Sequence, residues 1–398
     1  MPGPLAGFSV IEATQMVSGP LAAMLLADQG ADVVKLEQPV GGDRMRYLGH
    51  RRGGIGAFWA SCNRGKRSLV LDLAQPDGVA LVKRLAERSD VFLQNFRPGV
   101  TARLGIDEPA LRAVSPNIVY VSISGFGESG PYVDEKSYDY VIQALSGMAS
   151  LQADPATGEP SLVRNIVVDK ATAYTVAQAV TAALLARERG AGGQHVRIAM
   201  IDVALAFLWP DGMMQHTLLG EGVHEAPHMA DGYLVRPTID GHIAAMAISD
   251  RQFPALCRAL GTAWLDDPRF ATMLDRERNL AALNDVVAAE FIRFTGAELV
   301  ALLKAEDVPC AIIQRVGEVH TDPQVIHNKS LVEHERPWIG TIREPKPAPR
   351  FDATPAEIGR HAPKLDEHTD EVLGELGCDP AEIASLRARG VAGARRPG

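Results

Sequence analysis

The sequence predicts an α/β protein in which a Rossmann-like parallel sheet forms a large domain and a smaller α+β domain is joined to it. Through the first 200 residues, short Val- and Ile-rich runs alternate with helical runs, the mark of βαβ units and a parallel sheet. Near residue 209 that alternation dissolves into Gly-, Pro- and His-rich sequence and then resumes with a different rhythm. A chain of 398 residues has room for two such domains.

The expected strands are "FSVIEAT" (8–14), "ADVVKLE" (31–37), "SLVLD" (68–72), "DVFLQ" (90–94) and "NIVYVSI" (117–123), each bounded by turn residues. Between them, "GPLAAMLLADQG" (19–30) and "QPDGVALVKRLAERS" (75–89) carry apolar residues at helical spacing. An alanine-rich helix runs on from Asp169 and stops at the glycines of "GAGGQ" (190–194). In the second unit "GHIAAMAI" (241–248) and "PCAIIQ" (309–314) read as strands. Helices open at Ser249 and Thr295, with Gln252 and Glu298 three residues on, both capping-box patterns. The stretch 335–351 reads as loop, "HTDEVLGELG" (368–377) as a short amphipathic helix, and the tail "GARRPG" as frayed.

Composition narrows the function. Hydrophobic residues make up 46% and charged residues 22%, as in ordinary globular proteins. No apolar run is long enough to span a bilayer, and the opening residues lack a secretory pattern. Cys62, Cys257, Cys310 and Cys378 lie far apart without a CxxC pair, which fits a reducing compartment and argues against a thiolate zinc site. A cytoplasmic protein is expected, with no membrane partner. The net charge of −9 argues against nucleic acid as a partner. An anionic ligand then needs a local basic cluster, and "NRGKRS" (63–68) offers Arg64, Lys66 and Arg67.

Two motifs are decoys. "GFGESG" (125–130) matches GxGxxG after a strand, but Pro131 and polar residues follow where the dinucleotide fingerprint requires a helix, so no NAD is expected. "HEAPH" (224–228) matches HExxH, but Pro227 breaks the helix that would bring both histidines to one metal, so no metal is expected. Asp169 is more informative. It stands where the apolar run of "VRNIVVDKATAY" gives way to helix, and it fits either a helix N-cap or an ionised carboxylate acting as nucleophile.

Seven segments in order resemble the family III CoA-transferases, the group that includes formyl-CoA and carnitine CoA-transferases: "SGPLAAMLLADQGADVVKLEQP", "NRGKRSLVLDL", "QNFRPGVTARLGI", "SISGFGESGPY", "YDYVIQALSGMAS", "GGQHVRIAMIDVAL" and "EHTDEVLGELG". The resemblance spans nearly the whole chain and is weakest over 209–290. It implies that Asp169 is the catalytic aspartate, passing CoA between acids as anhydride and thioester, with the helix end holding its pKa down. CoA, present as a substrate, would meet Val17, Ser18, Cys62, Lys66, Asn95, Phe96, Arg97, Arg103, Lys136 and Tyr138. Phe96 also fits a core position and Arg103 a solvated helix position.

The resemblance further implies an interlocked homodimer of open-ring chains. The large domain comprises 1–208 and, after a linker, a returning C-terminal part within 326–398; 209–224 is a linker and 225–325 the small domain. Two departures bear on substrate. Gln38 replaces the arginine of formyl-CoA transferase, and the glycine run that closes over that enzyme's site is absent, which points away from oxalate and toward other acids. Arg164 and Arg236 are candidates to meet an acceptor carboxylate. An α-methylacyl-CoA racemase would need a histidine base in a "GHD" motif, which here reads Ser137-Tyr138-Asp139, and a tyrosine, with a reference pKa of about 10, is a poor base. A non-catalytic acyl-CoA-binding protein would have no use for Asp169.

Overall fold

In the computed structural model, which describes residues 3–154, 157–223, 226, 228–247 and 249–395, six strands form the main sheet. They are β1 (Ser9–Ala13), β2 (Asp32–Glu37), β3 (Lys66–Val70), β4 (Val91–Gln94), β5 (Val119–Ser124) and β6 (His195–Ala199). Their order across the sheet is 3-2-1-4-5-6 and every pairing is parallel. This is the doubly wound order, in which the chain runs outward from β1 in one direction and from β4 in the other. The five strands expected in this sheet all form, each within two residues of its expected bounds.

Burial explains why these runs become strands. Every residue of β3 and β4 is buried, as is all of β2 after Asp32. On one face Ile11, Leu36, Leu69, Phe92 and Tyr120 pack against Val372, Leu373 and Leu386 from the C-terminal helices Thr369–Glu375 and Pro380–Ala388. Each such side chain contributes about 1.5–3 kcal/mol on leaving water. The other face carries helix α1 (Ser18–Asp28), packed along the long helix α3 (Val167–Ala186); between them in sequence lies the short helix α2 (Asp139–Leu145).

Met1–Gln152, Ser161–Phe207 and Ile326–Gly398 form one compact unit; Ala153–Pro160 and Leu208–Val325 form the other. The second holds an antiparallel sheet of Cys310–Ile312, His242–Ala245 and Val235–Pro237, packed by helices around Ile243, Phe253, Phe270, Phe291 and Leu299. The capping box of Thr295 and Glu298 is present. Ser249 and Gln252 exchange the same reciprocal bonds, but regular helix begins at Gln252.

Two expectations are corrected and one helix is added. The stretch read as loop is an antiparallel hairpin, Leu331–Arg336 with Gly340–Pro345. Its strands are half exposed and charged, and Trp338 supplies the turn with φ 52°, so neither a Val/Ile run nor an Asn-Gly turn announced it. The helix Pro380–Ala388, capped by Asp379, went unread. The start of the tail is pinned rather than frayed: Arg395 N–H donates to Pro39 O at 2.8 Å and its guanidinium pairs with Asp72 at 2.7 Å. Among the described residues no helix is long and apolar enough to cross a membrane.

Candidate active site

Open α/β sheets bind ligands outside the C-terminal ends of their strands, where the strand order reverses. Here the reversal lies between β1 and β4. The segments leaving those strands contribute Gln15, Met16 and Ser18 and Asn95–Pro98, which line a cavity of about 330 Å³ together with Gly125–Gly127 after β5, Lys136–Tyr138 and Asp169. The two segments are tied together: the Asn95 amide donates to Gln15 O at 2.8 Å and accepts from Gln15 N–H at 2.9 Å. Met16 between them has φ 67°, a conformation that costs a non-glycine residue energy. Asp43 holds it by accepting the Met16 N–H at 3.2 Å, and Lys35 pairs with Asp43 at 3.2 Å.

Asp169 differs from the expected cap. Ile166 is the N-cap of α3, and Asp169 is the third residue inside the helix. Its own N–H is capped from outside by Asp139 Oδ2 at 2.9 Å. The Asp169 carboxylate accepts instead from the hydroxyl of Ser18, the first residue of α1. It therefore lies in the first turn of one helix and against the first residue of another, and both helix ends favour its charged form. Burial outweighs them. Desolvation is the largest influence, opposed by the Ser18 hydrogen bonds and reinforced by the Asp139 charge, and it carries the pKa from 3.8 up to about 6. The expectation of a lowered pKa is thus reversed. The result is a carboxylate that is about nine-tenths ionised at pH 7, poorly solvated, and more basic than an ordinary aspartate.

The capping group is itself fixed. Asp139 is 5% exposed, and its other oxygen accepts from Gln143 Nε2 one turn on. The Gln143 amide also donates to Asn165 O at 3.1 Å and accepts from Val163 N–H at 2.9 Å, holding the approach to α3. Gln143 was not singled out from the sequence, and Asp139 was read only as part of the Ser137-Tyr138-Asp139 motif, not as a cap. The signal available was the Asp/Gln pair at i,i+4 in "DYVIQ", a helical pairing distance.

Of the expected site residues, Ser18, Asn95, Phe96, Arg97, Lys136 and Tyr138 line the cavity with Asp169. Tyr138 is 48% exposed and stacks on Tyr140 at 6.0 Å between ring centroids. Phe96 also lines a second cavity, of about 200 Å³, at the ends of β2 and β3, with Gln38, Pro39 and Leu71–Ala74. Gln38 donates there to Gly42 O at 3.2 Å. The loop of "GFGESG" contributes Gly125–Gly127 to the wall and starts no helix. Arg103 is exposed on the helix Val100–Leu104 and does not line the Asp169 cavity. Val17 and Cys62 line a different, apolar cavity of about 910 Å³ along α1, α3 and Pro345–Pro349, and burial pushes the Cys62 thiol up to about 11.

The basic cluster is engaged internally, which speaks against the nucleotide contact expected of Lys66. Its ammonium is fully buried, donating to Glu12 at 2.8 Å, Pro20 O at 2.8 Å and Asn63 Oδ1 at 2.7 Å. Arg64 pairs with Asp28 at 2.7 Å, and Arg67 with Asp32 and Glu375 at 2.5 and 2.8 Å. Charges so placed must be paired, and these three are internal struts. Of "HEAPH", His224, Glu225 and Pro227 lie outside the described residues; His228 accepts Ala230 N–H at 3.0 Å. Among the described residues no three His, Cys, Asp or Glu are grouped to hold a metal ion.

The model of CoA-transferase family III matches residues 5–369. Relatives include the succinate–glutarate CoA-transferase of Agrobacterium fabrum, 35% identical over 94% of this chain and 96% of that protein. The succinyl-CoA–D-citramalate CoA-transferase of Chloroflexus aurantiacus is 33% identical over 98% of both chains. Among solved structures, Rv3272 of Mycobacterium tuberculosis superposes with a TM-score of 0.81 at 31% identity, covering 92% of this chain and 98% of its own.

Proposed function

The chain belongs to CoA-transferase family III, and on that premise we propose that Asp169 carries acyl activation from one acid to another. One carboxylate oxygen attacks the thioester carbonyl of the donor; the C–S bond breaks and leaves a mixed anhydride and CoA thiolate. The thiolate attacks the aspartyl carbonyl, so the donor acid departs as its carboxylate and an aspartyl-CoA thioester remains. The acceptor carboxylate expels the thiolate to form a second anhydride. The thiolate then takes the acceptor's acyl group and frees Asp169. No proton moves in any step, so the site needs an ionised carboxylate and little else for acid–base work. The observation that carries this reading is Asp169 itself, facing the switch-point cavity with a pKa of about 6 and a single hydroxyl donor.

The remaining roles follow from placement. The Ser18 hydroxyl and the start of α1 stabilise negative charge on the aspartyl oxygen as each adduct forms. CoA lies with its nucleotide in the cavity of Gln38 and Leu71–Ala74 and its pantetheine arm passing Phe96, which lines both cavities. With Arg64, Lys66 and Arg67 engaged internally, the exposed cations Arg97, Arg103 and Lys136 are left for phosphates and substrate carboxylates. The names of the relatives favour succinyl-CoA as donor and a dicarboxylic acid as acceptor. Tyr138 stands in the cavity where a racemase needs its second base, which disfavours that chemistry.

A homodimer of interlocked chains is the proposed assembly. The apolar cavity of α1 and α3, with exposed Tyr174 and Leu185 along it, is a surface that a second chain would cover. The four unpaired cysteines suit a cytoplasmic setting. Incubation of the protein with succinyl-CoA and glutarate, followed by chromatography of acyl-CoAs, tests the activity. Glutaryl-CoA in amounts matching the succinate released supports it. No exchange over a panel of acids, with deuterium entering the α-carbon of a 2-methylacyl-CoA, would replace it with racemisation.

A further inference from the structure

The smaller unit holds a cavity that no step above uses. It measures about 400 Å³, in the range of small-molecule sites, and Met246, Phe253, Leu256, Leu283 and Val287 make much of its wall apolar. Arg236, on the strand Val235–Pro237, lines it as well. Among the described residues its guanidinium is gripped by Asn284 alone, Nη2 donating to Oδ1 at 2.7 Å and Nη1 to the backbone oxygen at 3.2 Å. Both acceptors are neutral, so the grip orients the fork without balancing its charge. Nε is buried and, among the described residues, donates to nothing. Burial depresses the Arg236 pKa, and among the described residues no acid pairs with it, although Glu277 lines the same cavity. Arg276, the other arginine in the wall, is by contrast satisfied by Asp250 and by Phe270 O.

A half-buried cation held in place by neutral groups and facing apolar walls has no counter-ion among the described residues, and a ligand supplies one most favourably. A carboxylate fits the planar fork, and one guanidinium balances one charge. A phosphate would bring a second charge into apolar surroundings, which is costly. We propose that this cavity binds a short-chain aliphatic carboxylic acid, its carboxylate on Arg236 and its hydrocarbon body along Met246, Leu283 and Val287. The ligand's role as an acid awaiting transfer rests on the function proposed above; its binding does not depend on Asp169.

The test is photolabelling of the full chain with a diazirine-bearing pentanoic acid, mapped by peptide mass spectrometry. The expected result is label on cavity residues such as Met246, Met273 and Leu283, competed by pentanoate but not by pentanamide. Labelling persists in Asp169→Asn and falls by about tenfold or more in Arg236→Met, the loss expected for a hydrogen-bonded charge. Absent label, label confined to other regions, competition by the amide equal to that by the acid, or undiminished labelling of a folded Arg236→Met each overturns the proposal. If Arg236→Met does not fold, the acid-against-amide competition on the wild type decides alone. Labelling without CoA exchange counts against the catalytic reading only, and exchange without labelling against the cavity only.

Discussion

Replacing Asp169 with asparagine should stabilise the protein at neutral pH while removing its chemistry. The native pKa is about 6 against an ordinary 3.8, so roughly two pH units separate the folded and unfolded carboxyl groups. Each unit corresponds to about 1.4 kcal/mol. Because the folded value is the higher one, the native state binds more protons between the two values, and stability falls as pH rises from about 4 to 6 before levelling off. At pH 7 the ionised carboxylate therefore costs the fold about 3 kcal/mol, and at pH 5 about half of that. Asparagine has the same shape and no charge, so Asp169→Asn escapes the cost. Urea unfolding at a fixed protein concentration, at pH 5 and pH 7, reads the difference. A variant no more stable than wild type at pH 7, or a gap that does not shrink at pH 5, would refute the reasoning that burial sets the character of this carboxylate.

The same electrostatics predict a transfer rate that falls about tenfold per pH unit below about pH 6, readable from kcat/KM between pH 4.5 and 8. Ser18→Ala removes a hydrogen bond to the charged form, moving that inflection up by about one unit and slowing transfer at pH 7. Asp139→Ala strips the cap from the third residue of α3; it should cost about 1 kcal/mol in unfolding and reduce kcat more than it changes KM. Lys66→Met breaks a fully buried pair with Glu12, at about 3–5 kcal/mol, and should show as a lowered unfolding midpoint or insoluble protein. A stable Lys66→Met whose only defect is a raised KM for acyl-CoA would instead return Lys66 to the binding site.

What the sequence made legible tracks where local and long-range forces agree. Strands such as "DVFLQ" are buried on both faces, so composition alone marks them, and the sheet order then fixes which loops meet at the switch point. The hairpin Leu331–Arg336/Gly340–Pro345 was hidden because its residues are partly solvated and its turn rests on Trp338 rather than glycine or asparagine. The basic cluster is hard to read for a different reason. Arg64, Lys66 and Arg67 look like a phosphate cradle when read one after another, while their partners Asp28, Glu12 and Asp32 lie 36, 54 and 35 residues away. Asp169 was visible by position and resemblance, and Ser18 was expected at the site, but their pairing was not legible: Ser18 is 151 residues off and Asp139 is 30. Only the fold reveals that the carboxylate is partly buried between them.

Intact-protein mass spectrometry after mixing with succinyl-CoA tests the central claim most directly. The account predicts an adduct equal to CoA less water on the wild type, removed by hydroxylamine and absent from Asp169→Asn. An adduct that survives in Asp169→Asn, or none on the wild type while CoA exchange proceeds, would contradict the assignment of Asp169 as the carrier.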